Sequence, residues 1–137
     1  MPALYKIDKK RRLVLTCGFG SFSLGDARAH EERLLDDPDF DSSLSEIADF
    51  TCVTEFAIGE SELQKLAKNT TFSTHSRRAL IVPNYVAAAL RAINQSATNS
   101  EGQSNFRIFR NFTMAVDWVL LKREPAHEKK TAATSKA

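Results

Sequence analysis

The sequence predicts one α/β domain, a mixed sheet of four to five strands in the order β-β-α-β-α-β-α-β-α, with helices mainly on one face. Three observations carry this. Ala3, Tyr5 and Ile7 alternate with Leu4, Lys6 and Asp8, and a charged turn then leads into Leu13-Val14-Leu15-Thr16-Cys17, which reads as a β-hairpin. Beyond the hairpin, short apolar runs alternate with segments at helical spacing, the pattern of parallel strands joined by crossover helices. Arg78-Ala79-Leu80-Ile81-Val82 is apolar at four successive positions, as a central strand covered on both sides should be.

Asp8 to Arg12 is the hairpin turn, and Gly18 and Gly20 end the second strand. Ser23 and Asp26 form a capping box with Asp in place of Glu, and Ala27, His30, Leu34 and Leu35 then recur at helical spacing until Asp36-Asp37-Pro38. Ser45 to Phe50 is a short strand followed by a loop from Thr51 to Ile58. Glu60 to Lys68 places Leu63, Leu66 and Ala67 on one helical face. Pro83 closes the fourth strand, since it has no N–H for a ladder, and Asn84 caps a helix to about Ser96 with Val86, Ala89, Leu90 and Ile93 buried. Ala97 to Ser104 is a polar loop and Asn105 to Arg110 the last strand. Asn111 or Thr113 caps a final helix with Met114, Val116, Val119 and Leu120 inward and Trp118 alongside. The domain spans 1–123, and Glu124 to Ala137, without apolar periodicity, is expected to be a disordered tail.

A chain of 137 residues with 42% hydrophobic residues suits one core, and nine Phe against one Trp and two Tyr point to ring packing within it. Cys17 and Cys52 form no C-x-x-C pattern and read as small buried hydrophobes in a reducing, cytoplasmic protein. No apolar leader precedes the first strand and no transmembrane segment is expected. The net charge of +2 implies no nucleic-acid partner. Right-handed crossovers place the helices on one face if successive strands are neighbours. Lys6, Glu46 and Arg107 interrupt the apolar positions as though the other face met solvent. There the second face of the central strand, with a neighbour from Val14, leaves an apolar strip for a second copy to cover, giving a homodimer.

The chain resembles the SpoIIAA-like family, a bacterial branch of the STAS domains, over roughly residues 4 to 122. The resembling pieces are Tyr5-Lys6-Ile7-Asp8 with Arg12-Leu13-Val14; Gly20 with Ser23 and Asp26; Asp36-Asp37-Pro38-Asp39-Phe40-Asp41; Asp49 with Val53-Thr54; Arg77 to Val82; and Arg107-Ile108-Phe109-Arg110. The resemblance implies a four-to-five-stranded sheet with helices mainly on one side, and a regulatory or protein-binding role without catalysis. Typical anti-sigma antagonists carry a phosphorylated serine in an Asp-Ser-Ser-Gly-like turn. Here that stretch reads Phe56-Ala57-Ile58-Gly59-Glu60-Ser61, so the phospho-switch is not expected, and Ser61 is a poor acceptor between Glu60 and Glu62.

A site is expected where open α/β sheets place one, at the carboxyl ends of the strands. Phe19, Phe22, Phe50, Phe56, Tyr85 and Phe112 fall there, with Asp49 and Thr51 in the same loop. These rings either close the top of the core or line an apolar pocket, and the alternative to a protein-binding domain is therefore a carrier of a lipid or other apolar small molecule. Asp49 and Glu55 could pair as acid and base, but an Asp at a strand end more commonly caps the turn beside it. The glycines miss G-x-G-x-x-G because Ser23 stands at its third glycine, and neither His30 nor His75 has a partner at metal-ligand spacing. Arg77 and Arg78 with His75 read as a solvated strand start. No cofactor, metal or catalytic set is expected.

Overall fold

The computed structural model describes residues 2–68, 71–86 and 105–121. Its five strands are β1 (Ala3–Asp8), β2 (Leu13–Ser23), β3 (Ser45–Ala57), β4 (Arg78–Ile81) and β5 (Phe106–Phe109). The helices are α1 (Leu24–Asp36), α2 (Glu60–Ala67) and α3 (Phe112–Leu120). Residues 84–86 open a helical turn after Pro83. The rest of the helix expected to Ser96, the loop from Ala97 to Ser104 and the tail from Glu124 lie outside the described residues.

The strands lie in chain order, β1-β2-β3-β4-β5, with β1 antiparallel to β2 and every later pair parallel. The register aligns Tyr5, Thr16, Ala48, Leu80 and Ile108 across the sheet. In the hairpin turn Asp8 accepts hydrogen bonds from the Arg11 backbone and guanidinium at 3.0 and 2.8 Å, while Arg12 takes a left-handed conformation at φ 57°.

Side chains alternate between the faces of a strand, so the core divides in two. Ala48, Phe50, Leu80 and Ile108 pack beneath α2 with Leu63 and Ala67, and Val14 meets Leu34 of α1. Leu13, Ile47, Ala79 and Ile81 point the other way and are covered by Ala115 and Val119 of α3. The expectation of one open face is thus corrected. Handedness constrains helices that cross between parallel strands, but α3 follows the last strand and is free to fold over either side. It covers the apolar strip that strand patterning left to a second copy. Arg77 Nη1 donates to the Trp118 carbonyl at 2.6 Å, fixing the last turn of α3 where free carbonyls accumulate, and the guanidinium lies 5.3 Å from the Trp118 ring centre.

The inward arc of α3 is rotated from the expected one. Ala115 and Val119 are buried with Val116 and Trp118 packed beside them, whereas Met114 and Leu120 face outward. Of the two candidate caps, Asn111 is the one used, its side chain accepting from the Met114 backbone at 3.1 Å.

Two strands are longer than expected. β2 continues through Gly18 and Gly20 to Ser23, and β3 runs through the supposed loop to Ala57. Together they form a parallel ribbon that outruns β4, with register shifts between Cys17 and Phe19 and between Gly20 and Ser21. The glycines mark bulges and close approach rather than termination. A Cβ on Gly18 would stand 2.6 Å from the Phe50 ring, and Gly20 sits at φ 65°.

Candidate ligand-binding site

The first face of the sheet carries a buried polar group whose members are scattered through the sequence. Ser23 caps α1, its hydroxyl accepting from the Asp26 backbone at 3.2 Å while its own N–H donates to the Asp26 carboxylate at 2.9 Å. This fixes the start of the helix and turns His30 toward the sheet. There His30 Nε2 lies 2.9 Å from Glu46 Oε2 and 3.2 Å from the Thr16 hydroxyl, which donates to Glu46 Oε2 at 2.8 Å. Arg78 completes the group, with Nε 3.7 Å from Glu46 Oε1 and Nη2 3.8 Å from Glu31 Oε2.

Glu46, His30 and Arg78 are 5%, 6% and 9% exposed, which corrects the reading of Glu46 as solvent-facing and of Arg78 as a solvated strand start. The guanidinium is well held: Nη1 donates to the Leu66 carbonyl at 3.1 Å, and the group stacks 4.6 Å from the Phe72 ring centre. Burial pushes the Glu46 carboxyl upward, but the His30 hydrogen bond and charge, the Arg78 guanidinium and the Thr16 hydroxyl together outweigh it and hold the carboxyl below its ordinary range. Among the described residues two buried side-chain nitrogens have no hydrogen-bond partner, His30 Nδ1 and Arg78 Nε. Leaving such groups unpaired costs about 1–3 kcal/mol each.

The polar group does not assemble a nucleophile, a base and an orienting acid. Thr16 and Glu46 both contact the same imidazole nitrogen, so no carboxylate orients the ring through Nδ1, and the Thr16 proton is directed to the carboxylate. What the arrangement can do is present a fixed mixture of donors and acceptors to a small guest.

It forms one end of a cavity of about 60 Å³ between the sheet and helices α1 and α2. Glu46 and Arg78 stand at the start of their strands; the far end is lined by Phe22, Phe50, Phe56, Ile58 and Leu63. Ring centres of Phe22 and Phe50 are 4.5 Å apart, and those of Phe50 and Phe56 6.2 Å.

Of the residues expected at a site, Phe22, Phe50 and Phe56 therefore come together. Phe19, Tyr85 and Phe112 are exposed and do not line this cavity, although the Tyr85 hydroxyl donates to the Val53 carbonyl at 2.9 Å. Asp49 accepts from the Thr51 backbone and hydroxyl at 3.0 and 2.7 Å, a local bond within the ribbon. Ser61 is exposed beside Glu62, whose carboxylate already accepts the Gly59 N–H at 3.0 Å. Cys17 and Cys52 are exposed rather than buried; partial burial pushes the Cys17 thiol upward, with Asp49 and Cys52 adding to the effect. The missed residues did leave a signal. Thr16, Glu46 and Arg78 occupy the same side of neighbouring strands as Ala48 and Leu80, and polar side chains at core-facing positions pair with one another when buried.

With this geometry, the chain is similar to a solved structure, an uncharacterized protein from the DUF3478 family with a SpoIIAA-like fold from Shewanella loihica PV-4. The two are 14% identical, the likeness covers 85% of this chain and 93% of that one, and the TM-score is 0.53. The fold is SpoIIAA-like. In this SpoIIAA-like sheet the cavity lies under the helices of one face and runs from the start of β3 and β4 toward the carboxyl ends of β2 and β3. No family model matches the sequence, and no curated protein matches it. Among the described residues no helix is long and apolar enough to cross a membrane, and no group of three or more His, Cys, Asp or Glu is placed to hold a metal ion.

Proposed function

We propose that this chain is a non-catalytic, STAS-like regulatory domain that works by docking another protein, the first candidate being a second copy of itself. The observation that carries the reading is the outer side of α3. Met114 and Leu121 are 61% and 60% exposed, and Leu120 lies beside them, so the helix that covers one apolar strip displays another. A patch of this kind on a small domain favours an interface. Two exposed free thiols suit a reducing, cytoplasmic setting, and the Glu60-Ser61-Glu62 sequence gives no place for a phospho-switch. Sedimentation tests the docking: a dimer is expected at tens of micromolar, converted to monomer by Met114→Lys with Leu121→Lys. A monomer at every concentration removes self-association.

A second reading is favoured by the cavity, which suits a small-molecule binder. At about 60 Å³ it has room for about four to six waters. Pockets for drug-sized ligands span about 300–1,000 Å³, so the guest is a small molecule and not a lipid chain.

A further inference from the structure

If the cavity holds a small molecule, its chemistry narrows the choice of guest. Resting on that small-molecule reading, we propose that the cavity binds an uncharged, short amphiphile, a branched alcohol or amide of about five non-hydrogen atoms. Its polar head lies against His30, Glu46 and Arg78 and its apolar end toward Phe22 and Phe50.

Charge excludes the ionised alternatives. The polar end holds two carboxylates, Glu31 and Glu46, one guanidinium and one imidazole, already paired among themselves. A ligand carboxylate adds a third negative charge to a group whose one guanidinium and one imidazole are already paired with carboxylates. A ligand ammonium competes with Arg78 for Glu31 and Glu46, and Thr16 and His30 already occupy Glu46. Either ion leaves water for a place whose charges are spoken for. A neutral head does not disturb this balance.

The unfilled valences point the same way. Arg78 Nε is a donor, and His30 Nδ1 donates or accepts according to the tautomer of the ring. A hydroxyl or an amide offers both a donor and an acceptor in one uncharged group. The apolar lining at the other end rewards a branched alkyl body over a second polar group. Among the described residues α2 roofs the cavity through the buried side chains of Leu63 and Ala67 and the Leu66 carbonyl that accepts from Arg78, and a small shift of this helix would admit a guest slightly larger than the space.

The test is amide NMR titration of the full chain with four compounds of one skeleton, isobutanol, isobutyramide, isobutyrate and isobutylamine, at pH 7. Isobutanol and isobutyramide are expected to shift Ala27, His30 and Leu63 saturably at millimolar concentrations, with the two ions binding at least about tenfold more weakly. Ala27→Leu, which fills the cavity from α1, should abolish the shifts; Leu66→Phe fills it from α2 if the first variant does not fold. An ion that saturates the same amides as tightly as isobutanol overturns the head-group assignment alone. No shift from any of the four overturns the small-molecule reading as well. Shifts that persist in the folded filled variants place binding elsewhere and also overturn the proposal.

Discussion

Glu46 shows what one residue can conceal. In sequence it interrupts an apolar run and reads as a solvent contact; in the fold its position faces the helices, where His30, Thr16 and Arg78 meet it. Each partner lies too far along the chain for any local pattern to announce the pairing. Because its folded pKa is depressed, Glu46 adds stability that is fully present above its ordinary value of 4.5 and is lost as pH falls through the lower folded value. Glu46→Gln is expected to cost about 3 kcal/mol at pH 7, since it leaves the buried Arg78 guanidinium short of a counter-charge. Urea unfolding of both proteins at pH 7 and at successive values below 4.5 checks this: the difference between them should shrink only in the acid range. Asp8, Asp37 and Asp41 are also held low, but they titrate in both proteins and cancel from the difference.

At the scale of elements, capping and apolar spacing carried most of the information. Ser23 with Asp26, and Asn111, mark helix starts that local hydrogen bonds can fix, and the five strands begin at or next to the positions their apolar runs assign. The ribbon of β2 and β3 was illegible for a different reason. Glycine breaks a strand when the chain needs a turn, but Gly18 stays in the strand because the Phe50 ring lies over it, a contact between residues on different strands. Phe50 is 6% exposed and wedged between Phe22 and Phe56, so the ring has little room to retreat. Gly18→Ala is therefore expected to destabilise the domain by about 1–3 kcal/mol. Phe50→Leu in the same chain should recover part of that loss, and a double-mutant cycle on thermal unfolding measures the coupling. Additive effects would show that the ring does not set the requirement for glycine.

For the whole molecule, the order of strands was legible because strands successive in sequence tend to be neighbours in a sheet, whereas the side taken by α3 was not, since no following strand constrains it. Two truncations separate the contributions of the C-terminal segments. Ending the chain after Arg123 is expected to leave the melting temperature unchanged, because 124–137 has no apolar face to offset the entropy of ordering. Ending it after Asn111 uncovers Leu13, Ile47, Ala79 and Ile81 and should abolish cooperative unfolding, read by circular dichroism and dye binding. A full melting transition in the shorter chain would show that the second face is dispensable. The same arrangement has a consequence during synthesis. Each strand pairs with the one made just before it, so the sheet can grow as the chain leaves the ribosome, its first face gaining α1 and α2 along the way. Among the described residues, Leu13, Ile47, Ala79 and Ile81 of the other face gain their covering helix only when residues 112–120 emerge. A nascent chain paused before that point carries an exposed apolar sheet, which makes the interval before α3 is made the time of greatest need for a chaperone.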